Sequence, residues 1–192
     1  MLRPEARTLG IVDETLFQRW FGRAPLTVPE STQVLADRGV ADAQFSLGLS
    51  FASGAGAAQD FAQAASWYLK AAEQSHALAQ FNLGRMYALG QGLPCDAAQS
   101  LMWIEKSANL GDAGAQFNLG QTHQRTSLRR PSGTGSSAEQ ICAYKWFRLA
   151  ADQGYAGSEA AWENMNLRMS REDVLEGNRS VAAFHAAKVL SA

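Results

Sequence analysis

Cysteine is scarce: Cys95 and Cys142 are the only two in 192 residues. They form neither a C-x-x-C pair nor a zinc-ligand spacing, which argues against a metal-stapled or disulfide-dense mini-fold. Isolated thiols in a reducing cytoplasm are the expectation, with one disulfide left open on count alone. An excess of charge is also missing, since 17 Lys and Arg face 18 Asp and Glu. Phosphate binding needs a concentrated positive surface, so nucleic acid is not an expected partner, and an anionic membrane surface gains no support. No apolar run approaches the ~20 residues of a membrane span. The opening Met1-Leu2-Arg3-Pro4-Glu5 lacks the apolar stretch of a secretory signal, which again points to the cytoplasm.

Common catalytic signatures are absent as well. There is no G-x-x-x-x-G-K-[ST] phosphate cradle, no G-x-S-x-G nucleophile elbow and no S-x-x-K. His76, His123 and His185 are scattered and lack carboxylates at metal-ligand spacing. No catalytic residue, metal or cofactor is expected.

What the chain does have is a repeat. Ala41-Asp42-Ala43-Gln44-Phe45-Ser46-Leu47-Gly48 returns as Ala77-Leu78-Ala79-Gln80-Phe81-Asn82-Leu83-Gly84, and again as Ala113-Gly114-Ala115-Gln116-Phe117-Asn118-Leu119-Gly120, a period of 36. A weaker fourth copy begins at Ala156 and runs to Trp162. The second half of the unit repeats too: Trp67 to Ala72, Trp103 to Ala108, Trp146 to Ala151. Its spacings are 36 and then 43, so the third unit carries a seven-residue insertion.

Each unit predicts two helices. In the first, Ala43, Leu47 and Phe51 form an i, i+4 stripe, repeated as Ala79, Leu83, Tyr87 and as Ala115, Leu119, His123. Gly48, Gly84 and Gly120 lie beside it. A helical glycine costs about 1 kcal/mol relative to alanine, and its threefold return predicts close approach of a neighbouring helix. Gly54-Ala55-Gly56 and Gly90-Gln91-Gly92 then supply a turn that tolerates positive φ. Asp60 with Gln63 and Asp96 with Gln99 resemble capping boxes, and Ser137 with Gln140 offers the same pairing in the third unit. The second helix presents Ala64, Trp67, Ala71, then Ser100, Trp103, Ser107, then Ala143, Trp146, Ala150. It ends near Ser75, Gly111 and Gly154. One such pair cannot bury its apolar side alone, whereas stacked pairs can.

The string A-x-A-Q-x-x-L-G-x-x-Y, followed by G-x-G, Asp, Trp and A-A, resembles the Sel-one-like repeat, a relative of the tetratricopeptide repeat. Residues 75–110 match almost throughout, at Ala79, Gln80, Leu83, Gly84, Tyr87, Gly90, Gly92, Asp96, Trp103 and Ala108. The first unit has Phe51 for the tyrosine, and the third has His123 there and lacks the G-x-G turn at the matching place, where Thr126 and Leu128 stand. The resemblance implies an all-α, right-handed α-solenoid (an α/α superhelix) of stacked antiparallel helix pairs. It also implies an adaptor for a protein or peptide partner in signalling, quality control or host interaction. The matched positions are structural, so no catalytic residue carries over. Two other readings stay open: a regulatory subunit of an enzyme, or a β-lactam-binding hydrolase, although relatives of that kind carry a cysteine pair in each repeat.

The expected organisation is an N-terminal arm with a capping helix over 1–24, a degenerate half repeat over 25–38, and repeats at 39–74, 75–110 and 111–153. The third holds an inserted loop at 125–137, and a degenerate fourth repeat with a C-terminal capping helix covers 154–192. Asp13 to Phe21 reads as the first cap, with Leu16, Phe17, Trp20 and Phe21 on one side and a docking arm as its alternative. Ser170 with Asp173 starts the second, a helix of about Arg171 to Leu190 carrying Val174, Leu175, Val181, Phe184 and Leu190. The insertion holds Arg125, Arg129, Arg130, Pro131 and a Gly/Ser tract, a composition that predicts a mobile loop.

A partner is expected on the inner face, lined by the first helix of each unit. The candidates are Phe45 and Leu49 in unit one, Phe81, Asn82 and Arg85 in unit two, and Phe117, Asn118 and Gln121 in unit three. Asparagine carries donor and acceptor and can grip an extended backbone, while Arg85 suits a carboxylate. For the phenylalanines, packing between adjacent units is the competing reading.

Overall fold

The computed structural model describes residues 31–55, 58–129 and 134–191. Among the described residues there are nine α-helices and no strand. Helix α1 (Thr32–Asp37) leads into three hairpins: α2 (Ala41–Ser53) with α3 (Phe61–Glu73), α4 (Ala77–Leu89) with α5 (Ala97–Leu110), and α6 (Ala113–Arg129) with α7 (Thr134–Asp152). Helices α8 (Ser158–Arg168) and α9 (Arg171–Ser191) follow. Through α8 each helix packs on the next, and α9 folds back onto α7. The result is an all-α solenoid of stacked antiparallel pairs. The arm over 1–24, its helix Asp13 to Phe21, and Gly56 lie outside the described residues.

The recurring helical glycines sit where the sequence predicts close approach. A Cβ on Gly48 would fall 2.6 Å from Cδ1 of Tyr68, one on Gly84 2.7 Å from Cγ1 of Ile104, and one on Gly120 2.6 Å from Cδ1 of Phe147. In every hairpin the missing side chain lets the second helix lay a large residue on the backbone of the first. Burial follows: Tyr68, Ile104 and Phe147 are all core residues. Helix α9 uses the same device, because a Cβ on Gly177 would lie 2.5 Å from the Tyr144 ring.

The turns also obey the local chemistry. Gly54 (φ 75°) and Gly90 (φ 66°) end α2 and α4 in the left-handed region. Asp60 caps α3 by accepting from the amides of Ala62 (2.9 Å) and Gln63 (3.0 Å), and Asp96 caps α5 from Ala98 and Gln99 at the same distances. The reciprocal half of a capping box is replaced. The amides of Asp60 and Asp96 donate instead to the carbonyls of Phe51 (2.9 Å) and Tyr87 (3.0 Å), closing each hairpin. Cys95 takes part in one such closure, its thiol donating to the Ala88 carbonyl at 3.5 Å, as Gln59 donates to Ala52. Cys95 and Cys142 are both free thiols.

Successive units are tied by the motif glutamine. Gln44, Gln80 and Gln116, all buried, donate from Nε2 to the carbonyls of Ala36 (3.1 Å), Ala72 (2.9 Å) and Ala108 (3.1 Å) in the preceding helix. Each bond gives a second donor to a carbonyl in the last turn of that helix, which also accepts the backbone amide of Gly39, Ser75 or Gly111. Helix α1 therefore serves unit one as α3 and α5 serve the units after them.

Two expectations need correction. Within the stretch 125–137 the described residues are helical, since α6 runs to Arg129 and α7 starts at Thr134. The insertion lengthens both helices, to 17 and 19 residues against 13 and 14 in α4 and α5. Tertiary partners override the loop-like composition. Nδ1 of His123 lies 2.7 Å from Glu139 across the hairpin, Gln124 donates to the Met165 sulfur at 3.4 Å, and Ser137 donates to Asp173. Ser137 is thus inside α7 and not its N-cap. In the C-terminal helix, Ser170 caps as expected, accepting from the Asp173 amide at 3.1 Å. Val174, Val181 and Phe184 pack inward, but Leu175 and Leu190 are exposed, because α9 covers α7 with one side only.

Candidate functional site

The first-helix positions separate into two kinds. Phe45 stacks on His76 with ring centroids 4.6 Å apart and tilts against Tyr68 at 5.8 Å. Phe117 sits 5.5 Å from Phe147 and 5.3 Å from Tyr155. Phe81 packs beside Gly114 and the cluster of Ile104, Ala108, Ala115 and Leu119. Each phenylalanine is half-buried and reaches from its own hairpin to the start of the next, so all three are inter-unit packing residues. His76 shows the cost of that role being shared: its Nδ1 caps α4 by accepting from the Ala79 amide at 3.1 Å, while Nε2 lies 3.3 Å from Asp42.

The other kind lines open space. A groove of about 260 Å³ lies between α2 and α4. Leu49, Ala52 and Ser53 come from α2, Phe61 and Tyr68 from α3, and Asn82, Arg85 and Met86 from α4, with Gln91 at the rim. Leu49, Asn82 and Arg85 of the sequence candidates meet here. Leu49 is 49% exposed and places apolar surface at the mouth. The Asn82 amide and the Arg85 guanidinium make no hydrogen bond or ion pair among the described residues, apart from Arg85 approaching the Phe81 ring at 5.9 Å. Burial pushes the Tyr68 phenol above its ordinary value, and nearby Arg85 opposes that shift. The phenol therefore offers the groove a neutral donor. Asn118 is half-buried and Gln121 exposed, both on α6, and neither lines this groove.

Sequence reasoning missed Tyr68, Phe61 and Gln91. Tyr68 was detectable as the large side chain opposite Gly48. Gln91 was hidden because its glycine neighbours mark it only as a turn. Of the three arginines in the insertion, Arg125 donates to Thr122 of its own helix at 3.4 Å, Arg129 is exposed in the last turn of α6, and Arg130 lies outside the described residues. His123, in the tyrosine slot, is tied to Glu139. Cys142 is half-buried, and burial, reinforced by Glu139, raises its thiol above the ordinary value. A raised thiol is a poor nucleophile near neutral pH. Among the described residues no group of three or more His, Cys, Asp or Glu could hold a metal ion. No helix there is long and apolar enough to cross a membrane.

Comparison with known proteins agrees with this architecture. The Sel1 repeat model matches residues 41–76, 77–112 and 113–155. The crystal structure of a Sel1 repeat protein from Oxalobacter formigenes is similar at 30% identity and a TM-score of 0.58, over 69% of this chain and 95% of that one. A second similar structure is c5321, a protective antigen present in uropathogenic Escherichia coli strains and displaying an SLR fold. It gives 31% identity and a TM-score of 0.63 over 79% of this chain, which spans only 32% of that larger protein. No curated protein matches. With three consecutive units covered and the glycine contacts and glutamine ties repeated in each, the chain belongs to the Sel1 repeat family.

Proposed function

We propose that the protein is a non-enzymatic adaptor that binds an extended segment of a partner protein along its first-helix face, with the groove between α2 and α4 as the anchoring point. Repeats of this class generally mediate protein–protein interactions. The observation that carries the reading here is the unused polar pair, Asn82 and Arg85, beside an apolar floor of Leu49, Ala52, Phe61 and Met86. The floor takes an apolar side chain of the segment. Asn82 holds its backbone through donor and acceptor together, and Arg85 pairs with a carboxylate. Specificity then favours an apolar residue followed by an acidic one. The same reading keeps the adaptor in a reducing compartment, the cytoplasm, where free Cys95 and Cys142 persist.

The test is selection from a displayed library of random peptides on the intact protein, followed by titration of the enriched peptides. Asn82→Ala with Arg85→Ala is expected to weaken them by about tenfold or more, the scale of one or two lost charge-assisted bonds. The thermal midpoint should not move. Enriched peptides that bind the double variant as they bind the parent would defeat the proposal.

A further inference from the structure

The motif glutamines use their second polar atom differently from unit to unit. Gln74, just past α3, donates from Nε2 to Gln44 Oε1 at 2.7 Å. Gln153, just past α7, does the same to Gln116 Oε1 at 2.9 Å. The corresponding position in unit two is Leu110, which has no donor to give. Gln80 Oε1 is accordingly a buried acceptor with no donor among the described residues, although Gln80 itself is only 4% exposed. Such an atom loses hydration without recompense.

The missing donor's place, beside an oxygen with essentially no exposed surface, borders a pocket. A pocket of about 530 Å³ lies between the C-terminal ends of α3 and α5, lined by Ala72, Glu73, Ser75, Gln80, Trp103, Lys106, Asn109 and Leu110. Gln80 and Ala72 are buried at its base. Trp103, 8% exposed, forms one wall with Lys106 standing 4.3 Å over its ring. Glu73 and Lys106 at the rim carry one charge of each sign, which gives no reason to prefer an ion.

We infer that this pocket is a second partner-binding site, which takes the side-chain amide of a glutamine from another protein as donor to Gln80 Oε1. The occupant follows from the two sister units, where a glutamine amide makes that bond within the chain. The stem of the incoming side chain lies along Trp103 and Leu110, and its carbonyl faces the Asn109 and Ser75 donors. The inference does not depend on the groove between α2 and α4, which lies among other residues.

The experiment titrates N-acetylglutamine methylamide into the isotope-labelled full chain and follows the Trp103 indole and Gln80 amide signals by NMR. N-acetylleucine methylamide is the control. The glutamine probe is expected to shift both signals and to bind about fivefold or more tightly than the leucine probe. Leu110→Gln, which supplies the donor internally, should abolish that preference, and Leu110→Met, which supplies none, should keep it. No shift with the glutamine probe, equal binding of the two probes, or an undiminished preference in Leu110→Gln would each overturn the inference.

Discussion

Hairpins two and three reach the same packing through different connections. Hairpin two turns on Gly90 and Gly92 between helices of 13 and 14 residues. Hairpin three is joined through residues outside the described ones, and its helices run to 17 and 19 residues. Yet Gly84 meets Ile104 in one as Gly120 meets Phe147 in the other, and both units hang on the preceding helix through the motif glutamine. The connection therefore differs in length between the copies, whereas the glycine contact and the glutamine tie recur in both. Additional length costs little when the extra turns find partners of their own, here Glu139, Met165 and Asp173.

The largest expected effect breaks the shared feature. Gly84→Val and Gly120→Val each force a Cβ with its two methyl groups into space held by Ile104 with the Ser100 carbonyl, or by the Phe147 ring. Each should cost about 3 kcal/mol, the upper range for overpacking, read by urea denaturation. A tolerated Gly120→Val beside a damaging Gly84→Val would show that the longer hairpin does not depend on the contact. Next comes Gln153→Leu, which gives unit three the residue that unit two already has. It orphans Gln116 Oε1, an atom of a residue 1% exposed, and should cost about 1–3 kcal/mol.

The repeat and its helix stripes were legible because each copy shows the same apolar spacing, and three returns of one glycine could only mean contact. The glutamine clamp was not. Gln44, Gln80 and Gln116 stand in the motif, but their partners stand where the copies diverge, as Gln74, Leu110 and Gln153. The stripe of Phe45, Phe81 and Phe117 carried two readings for a related reason: a helix surface wide enough to line a groove also faces the next hairpin, and spacing alone does not say which side wins. Leu49 was named from its place on the stripe and Asn82 and Arg85 from residue type; that they line one groove with Tyr68 and Gln91 was not legible, since a groove is assembled from three helices and periodicity describes one at a time.

Leu110→Gln is the mirror of Gln153→Leu and sharpens the comparison. Leu110 is 43% exposed, so little burial is lost, and one buried bond to Gln80 is gained. The expected gain is about 1 kcal/mol. If Gln153→Leu destabilises while Leu110→Gln changes nothing, the middle unit has settled its acceptor in another way.

The smallest effect reads the Asp60 cap by pH. The Asp60 carboxyl is held below its ordinary 3.8, first by the Gln63 amide of the backbone, then by the Gln63 side chain, and also by the Ala62 amide, against a small opposing effect of burial. A lowered carboxyl binds its proton less readily folded than unfolded. Its contribution is therefore complete above 3.8 and is lost as pH falls through the lower, folded value. Asp60→Asn keeps a capping oxygen but removes the titration, so its thermal midpoint should fall less steeply than the parent's between pH 5 and pH 2, a window of roughly the usual carboxylate range. Equal slopes for the parent and Asp60→Asn would mean that the Gln63 contacts serve to shape the turn and leave the acid stability of hairpin one to other groups.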